Sequence, residues 1–266
     1  MGVLLPSFVL MAILGLAAGL FLIYFSRKFA VEVDPRVQRI SEILPQANCG
    51  ACGAPGCSHF AEGVVRGEYP VTGCVVGGTE TANEIAKILG IEAGEVVPRV
   101  AVVRCVGDRE KAPRRAEYDG IEDCKAAHIL GGDKGCEYGC LGMGSCVRVC
   151  PFDAIKMGEK GLPVVNEDKC TGCGKCAEVC PRSIIEIIPR TQKIYLACMS
   201  LEKAKDVMSV CSVGCIGCGL CARVAPEGVV EMQEGLPILH YDKVSSPDEL
   251  QEMVEKCPKK SFIVRE

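Results

Sequence analysis

The sequence predicts an α+β protein: one N-terminal membrane-spanning helix, a small helical domain, and two small modules mixing short strands with short helices. Three observations predict it. Residues 1–26 carry no charged side chain. Twenty of the 266 residues are cysteine, many of them in C-x-x-C groups. And the stretch "GCLGMGSCVRVCPFDAIKMGEKGLPVVNEDKC" aligns with "GCIGCGLCARVAPEGVVEMQEGLPILHYDKV", an internal repeat. The expected organisation is an anchor over 1–26, a juxtamembrane linker over 27–34, a helical domain over 35–93, a connecting segment over 94–132, and two modules over 133–190 and 191–266.

The run from Val3 to Phe25 can cross about 30 Å of hydrocarbon at roughly 1.5 Å per residue. Arg27 and Lys28 follow at once. By the positive-inside rule they keep the rest of the chain in the cytoplasm and the N-terminus outside the inner membrane. A cleaved signal peptide fits poorly, because the basic residues follow the apolar run instead of preceding it. Gly15 and Gly19 are spaced to let a second helix approach closely. No charge lies within the span, so this chain offers no ion path of its own.

The net charge of −4 argues against a polyanion-binding surface, and nucleic acid is not an expected partner. There is no G-x-G-x-x-G after a strand, no P-loop and no spacing of a catalytic nucleophile with its base. No catalytic side chain is expected. Closely spaced cysteines put several sulfurs on one tight loop, which suits a metal centre better than a disulfide framework. A cytoplasmic, reducing location keeps such thiolates free.

Asp34 and Pro35 read as N-cap and first residue of a helix through Leu44, stopped by Pro45. The first cysteine group follows: "NCGACGAPGC" and then "YPVTGC" place Cys49, Cys52, Cys57 and Cys74 at C-x2-C-x4-C-x16-C. Glycines beside them let the backbone wrap an iron–sulfur cluster. Zinc is the alternative for four thiolates. His59 reads as a surface residue or a neighbour of the site, not a ligand. A capped helix over 79–93, ending near Gly90, and a strand through "EVVPRVAVVRC" come next. The polar stretch carrying Cys105 and Cys124 reads as a linker lying on a neighbouring module.

"CTGCGKCAEVCP", Cys170 to Pro181, is a complete C-x2-C-x2-C-x3-C-P run, the mark of a bacterial-ferredoxin-like module with two [4Fe–4S] clusters. In such modules the cysteine before proline binds the other cluster. Cys170, Cys173, Cys176 and Cys150 are therefore expected to form one site. Cys136, Cys140, Cys146 and Cys180 are expected to form the other, with Cys136 replacing the cysteine that Met143 displaces. In the second, degenerate ferredoxin-like module Ala225 and Val244 stand opposite Cys150 and Cys170, and "SSPDELQEMVEK" replaces the second triplet. Cys257-Pro258 survives. One cluster of the pair has lost all four ligands, and the other is expected on Cys215, Cys218, Cys221 and Cys257. Cys105, Cys124, Cys198 and Cys211 remain, as a fifth cluster or as free or structural thiols. Cys211 and Cys218 can also exchange roles in this assignment. At least four and at most five [4Fe–4S] clusters follow.

The order of these features closely resembles the B subunit of the Rnf complex, the ion-translocating ferredoxin:NAD oxidoreductase. The residues that carry the resemblance are the N-terminal anchor, the C-x2-C-x4-C-x16-C domain, "DCKAAHILGGDKGCEYGCLGMGSCVRVCPFDAI", "CTGCGKCAEVCP" and "VCSVGCIGCGLCARVAP". It covers essentially the full chain. The first domain also looks like the cluster domain of corrinoid iron–sulfur proteins. The resemblance implies an electron-transfer subunit that takes electrons from reduced soluble ferredoxin. It implies relay to the membrane through flavin and multi-span partner subunits and thence to NAD, while partners move Na⁺ or H⁺. Ala225, where many ferredoxin repeats carry cysteine, is the departure. Two other readings compete: a membrane-tethered electron donor to a corrinoid- or hydrogenase-type reductase, and a zinc-holding scaffold.

Overall fold

A computed structural model describes residues 4–29, 34–244 and 246–265. The first residues of the expected anchor, 1–3, and residues 30–33 of the linker expected over 27–34 lie outside the described residues. Helix α1 (Leu4–Lys28) has 25 residues, about 37 Å at 1.5 Å per residue. Its apolar side chains point outward, with Phe8 76% and Met11 73% exposed. An apolar surface of that extent has no place in water and matches the thickness of a bilayer core.

The helical domain comprises α2 (Pro35–Ile43), α3 (Cys57–Arg66) and α4 (Gly78–Leu89). Asp34 caps α2 by accepting the Arg36 N–H at 2.8 Å, with proline at the first position. Gly90 ends α4 in the left-handed conformation. The helices bury Ile40, Leu44, Phe60, Ala61, Val64 and Ile85 in one core. The cysteine-bearing loop sits on the end of that core.

The two modules share one plan. In the first, β1 (Arg99–Val103) pairs antiparallel with β4 (Ile185–Pro189), and β2 (Ile155–Met157) pairs with β3 (Pro163–Val165) as a hairpin. One-turn helices α6 (Ser145–Arg148) and α7 (Lys175–Glu178) follow the cysteine loops. In the second, β5 (Ile194–Leu196) pairs with β8 (Phe262–Val264), and β6 (Val230–Gln233) pairs with β7 (Leu236–Leu239). There α9 (Leu220–Val224) and α10 (Gln251–Lys256) take the helix positions, with α5 (Cys124–Ile129) and α8 (Ala204–Val210) lying in the connecting stretches. The segment expected to connect thus contributes a strand, Arg99–Val103, to the first module's sheet. Residues 104–134 are an excursion between its first strand and its first cysteine loop.

The repeat extends to backbone detail. The residue two beyond the proline of each C-P has positive φ: Asp153 at 49°, Ser183 at 50° and Lys260 at 49°. Gly228 takes the same place after Ala225-Pro226, at 74°. The turn thus outlives its cysteine. In the cysteine loops, Gly217 has φ of 63°, and an added Cβ would stand 2.8 Å from the carbonyl oxygen of Gly235 in the hairpin turn. Gly142 meets Gly161 in the same way in the first module. Only glycine allows the hairpin to lie that close to the cysteine loop.

The second module fills the space of its lost cluster. Ala225 and Val244 pack onto a core holding Leu250 and Met253. Ser246 caps the turn over Pro247–Leu250 by accepting the Asp248 N–H. The modules are tied together by Arg265, buried near the C-terminus, whose guanidinium donates to both carboxylate oxygens of Glu167 just before Cys170.

Candidate metal centres: five cysteine quartets

The 20 cysteines are all unpaired; sixteen line four cavities in sets of four, and Cys150, Cys170, Cys173 and Cys176 are the four that remain. Cys49, Cys52, Cys57 and Cys74 ring a cavity floored by Leu44 and Phe60. The Asn48 side chain accepts the Cys57 N–H at 2.9 Å, closing the loop onto the start of α3. Burial pushes the Cys74 thiol up, and the other three thiols add to the effect. His59 is exposed and does not line this cavity.

Cys150, Cys170, Cys173 and Cys176 form the second group. Cys176 is pushed up to about 12 by burial, then by the charges of Cys170 and Cys173. Cys150 acts on Cys173. Two sulfurs accept backbone N–H groups, Cys170 from Ala101 and Cys150 from Ala154, both at 3.4 Å.

The third group departs from the expected set. The cavity holding Cys140, Cys146 and Cys180 is completed by Cys124, not Cys136. The excursion explains it. Asp123 caps α5, accepting from Lys125 and Ala126, and sets Cys124 as that helix's first residue. The Cys124 N–H donates to Ser145 Oγ at 2.8 Å, and Ser145 donates to Asp123 at 2.8 Å. Arg148 donates to the Glu122 carbonyl at 2.7 Å. These contacts latch Cys124 onto the helix that carries Cys146. Burial, first of all, pushes Cys146 to about 11 and Cys140 to about 12.

Cys136 instead joins Cys105, Cys198 and Cys211 in the fourth cavity. Its thiol is raised by burial and then by those three. The four residues expected to be left over therefore do not form a group as such: Cys124 leaves them and Cys136 replaces it. No spacing rule could find this site, because its ligands come from four separate segments. Its one sequence signal is arithmetic, four cysteines remaining after sixteen are placed.

Cys215, Cys218, Cys221 and Cys257 surround the fifth cavity, the grouping expected from the cross-over rule. Cys211 stays with the fourth group, so it does not exchange with Cys218. Cys218 alone among the 20 cysteines is exposed.

The cavities of the first, third, fourth and fifth groups are alike, each walled by four cysteines and mainly apolar neighbours, and suit one kind of occupant. Among the described residues no group of three or more His, Cys, Asp or Glu is arranged to hold a single metal ion. Four thiols spread around a cavity suit a polynuclear cluster better than tetrahedral zinc. The donor set and the sulfur-directed N–H groups fit [4Fe–4S] clusters.

The quartets also follow one another through the fold. The charge of Cys49 acts on Cys173, and that of Cys146 on Cys176. The Cys140 N–H donates to Cys105 Sγ at 3.4 Å, and the Cys215 N–H to Cys198 Sγ at 3.3 Å. Direct hydrogen bonds thus join third to fourth and fourth to fifth, while first and second, and second and third, lie within electrostatic reach of each other.

Comparison with known proteins agrees with this geometry. Residues 44–76 match a family described as a putative Fe–S cluster, and residues 136–187 match a 4Fe–4S dicluster domain. The chain is 44% identical over 250 residues to the B subunit of the Na(+)-translocating ferredoxin:NAD(+) oxidoreductase complex of Acetobacterium woodii, covering 94% of this chain and 74% of that protein. It is 49% identical to the B subunit of the proton-translocating ferredoxin:NAD(+) oxidoreductase complex of Clostridium ljungdahlii, over 77% of this chain and 73% of the relative. The corresponding identity is 42% for the B subunit of an ion-translocating oxidoreductase complex of Methanosarcina acetivorans, over 80% and 81%. With its apolar helix, its cluster domains and these relatives, the chain belongs to the B-subunit family of the ion-translocating ferredoxin:NAD oxidoreductase (Rnf) complexes, the iron–sulfur electron-transfer subunits of membrane-associated oxidoreductases.

Proposed function

We propose that each of the five quartets holds one [4Fe–4S] cluster and that the chain is a linear electron relay. The observation that carries this is the ordered series of neighbouring quartets from Cys49 to Cys257, with backbone N–H to sulfur hydrogen bonds joining the last three. Bound there, each cluster supplies one reversible one-electron change. The protein supplies thiolates, sulfur-directed amides and apolar walls that exclude water. Ligation requires the thiols raised by burial to give up their protons, so cluster binding and proton release are coupled.

The exposed Cys218 marks the fifth quartet as the end open to a soluble donor, and reduced ferredoxin fits that role. The first quartet lies nearest the anchor along the chain and is the end that serves the complex's flavin and multi-span subunits. Helix α1 crosses the membrane once, with Arg27 and Lys28 on the cytoplasmic side. Na⁺ or H⁺ movement belongs to partner subunits, since the described part of α1 before Arg27 carries no charge. Iron and labile-sulfide analysis of the anaerobically purified chain tests the reading. It predicts about 20 of each per chain, four per cluster. Zinc in place of iron, without sulfide, overturns it.

A further inference from the structure

We infer that buried Lys134 and half-buried Arg182 form a pair of cations between the third and fourth quartets, and that their charges raise the reduction potentials of both clusters there. The inference rests on the reading that these quartets hold clusters.

Lys134 is 5% exposed, and its Nζ donates to the Gly107 carbonyl at 2.5 Å. Gly107 belongs to the fourth site: a Cβ on it would stand 3.2 Å from Cys211 Sγ and 3.9 Å from Cys105 Sγ. The same ammonium acts on Cys140 of the third site. Arg182 reaches the same boundary from the third site. It follows Cys180-Pro181 and lines the third cavity. Its Nη1 donates to the carbonyls of Cys136 at 3.0 Å and Gly139 at 2.6 Å, and its Nη2 to Gly131 at 3.0 Å. Its Nε is buried without a partner.

Among the described residues neither cation has a carboxylate within 4 Å. Asp133, the neighbour of Lys134, is taken by Arg114 at 2.6 Å. Glu137, the acid that acts on Arg182, is exposed and lies 3.9 Å from Arg115. A buried charge without a counterion is costly. Here the compensating negative charge is that of the ligated thiolates of Cys136 and Cys140, the two groups that act most favourably on Arg182. Each one-electron reduction adds one negative charge and transfers no proton or bond. A fixed cation in a low-dielectric wall favours that reduced state. The second quartet differs, because its nearby Arg190 and Arg265 both act on Glu167.

The test uses the full-length, cluster-loaded chain in detergent, titrated through its potentials and followed by EPR. The two relevant signals are those missing from Cys180→Ser and from Cys136→Ser. In Arg182→Gln and in Lys134→Met both midpoints should fall by at least a tenfold change in the reduction equilibrium, 59 mV for one electron. Arg182→Lys should retain most of the wild-type values. The signals missing from Cys74→Ser and Cys257→Ser should stay where they were. Unchanged midpoints at full iron content overturn the inference. So does iron loss shared by Arg182→Gln and Arg182→Lys together with unshifted potentials in Lys134→Met, which would make the side chains structural. A wild-type chain lacking iron at these two quartets would instead refute the cluster reading, before any variant is compared.

Discussion

Exchanging ligands between the third and fourth quartets distinguishes the structural grouping from the one spacing alone suggests. Cys124 shares a cavity with Cys180, and Cys136 does not. Cys124→Ser, Cys136→Ser and Cys180→Ser should each remove one cluster, taking iron from about 20 to about 16 per chain. The doubles are decisive. Cys124→Ser with Cys180→Ser breaks one site twice and should still leave about 16 irons, whereas Cys136→Ser with Cys180→Ser breaks two sites and should leave about 12. Iron and sulfide assays on anaerobically purified chains read the counts directly, and EPR shows which signals vanish. Counts in the reverse order would refute the grouping drawn from the cavities and restore Cys136 to the ferredoxin pair.

Cys257→Ser should remove the cluster of the fifth quartet and leave the EPR signals of the first module intact; an unchanged iron count would show that Cys257 is no ligand. Ala225→Cys should add no iron, since Val244, Leu250 and Met253 occupy the site it once served; a gain of about four irons would contradict that. Met253 is 1% exposed, so Met253→Ala should cost about 2–5 kcal/mol of stability in denaturant unfolding. Arg265→Ala should cost about 2 kcal/mol at pH 7 through the lost charge-assisted bonds to Glu167. Arg265 holds the Glu167 carboxyl below its ordinary value of 4.5. The contribution is therefore complete above that value and fades as pH falls through the lower folded one. The gap between wild type and Arg265→Ala should shrink on acidification, and a gap that widens would count against the clamp.

Much of this was legible because it is local. A C-x2-C-x2-C loop fixes three sulfurs within one turn of chain, and the proline after the fourth cysteine marks the cross-over, so Cys215, Cys218, Cys221 and Cys257 could be grouped across 36 residues of intervening change. The helix capped by Asp34 and the one ended by Gly90 were equally readable, since caps act within a few residues. Cys124 was not, because its place depends on residues 104–134 folding back onto Ser145 and Arg148. Cys136 lies four residues before Cys140 and looks like its partner, yet the turn between them aims it at Cys105. The strand that the first module draws from the expected connecting segment was hidden for the same reason. Strand β1 is separated by the whole excursion from the loops it supports, and only its pairing with β4 assigns it.

The fourth quartet has a mechanical meaning as well. Cys105 and Cys136 belong to the first module, while Cys198 and Cys211 come from β5's end and the stretch after α8. Ligation there is a cross-link that closes a loop of about 100 residues, a constraint which for a disulfide of that span is worth about 4.7 kcal/mol in chain entropy. A cluster bound there would add to the Arg265–Glu167 clamp in holding the two modules together. Losing it would do more than open a gap in conduction, because the neighbouring quartets would lose their fixed separation too, and tunnelling falls steeply with distance. The site least visible in the sequence is thus the one that, with a cluster bound, would join the two small modules.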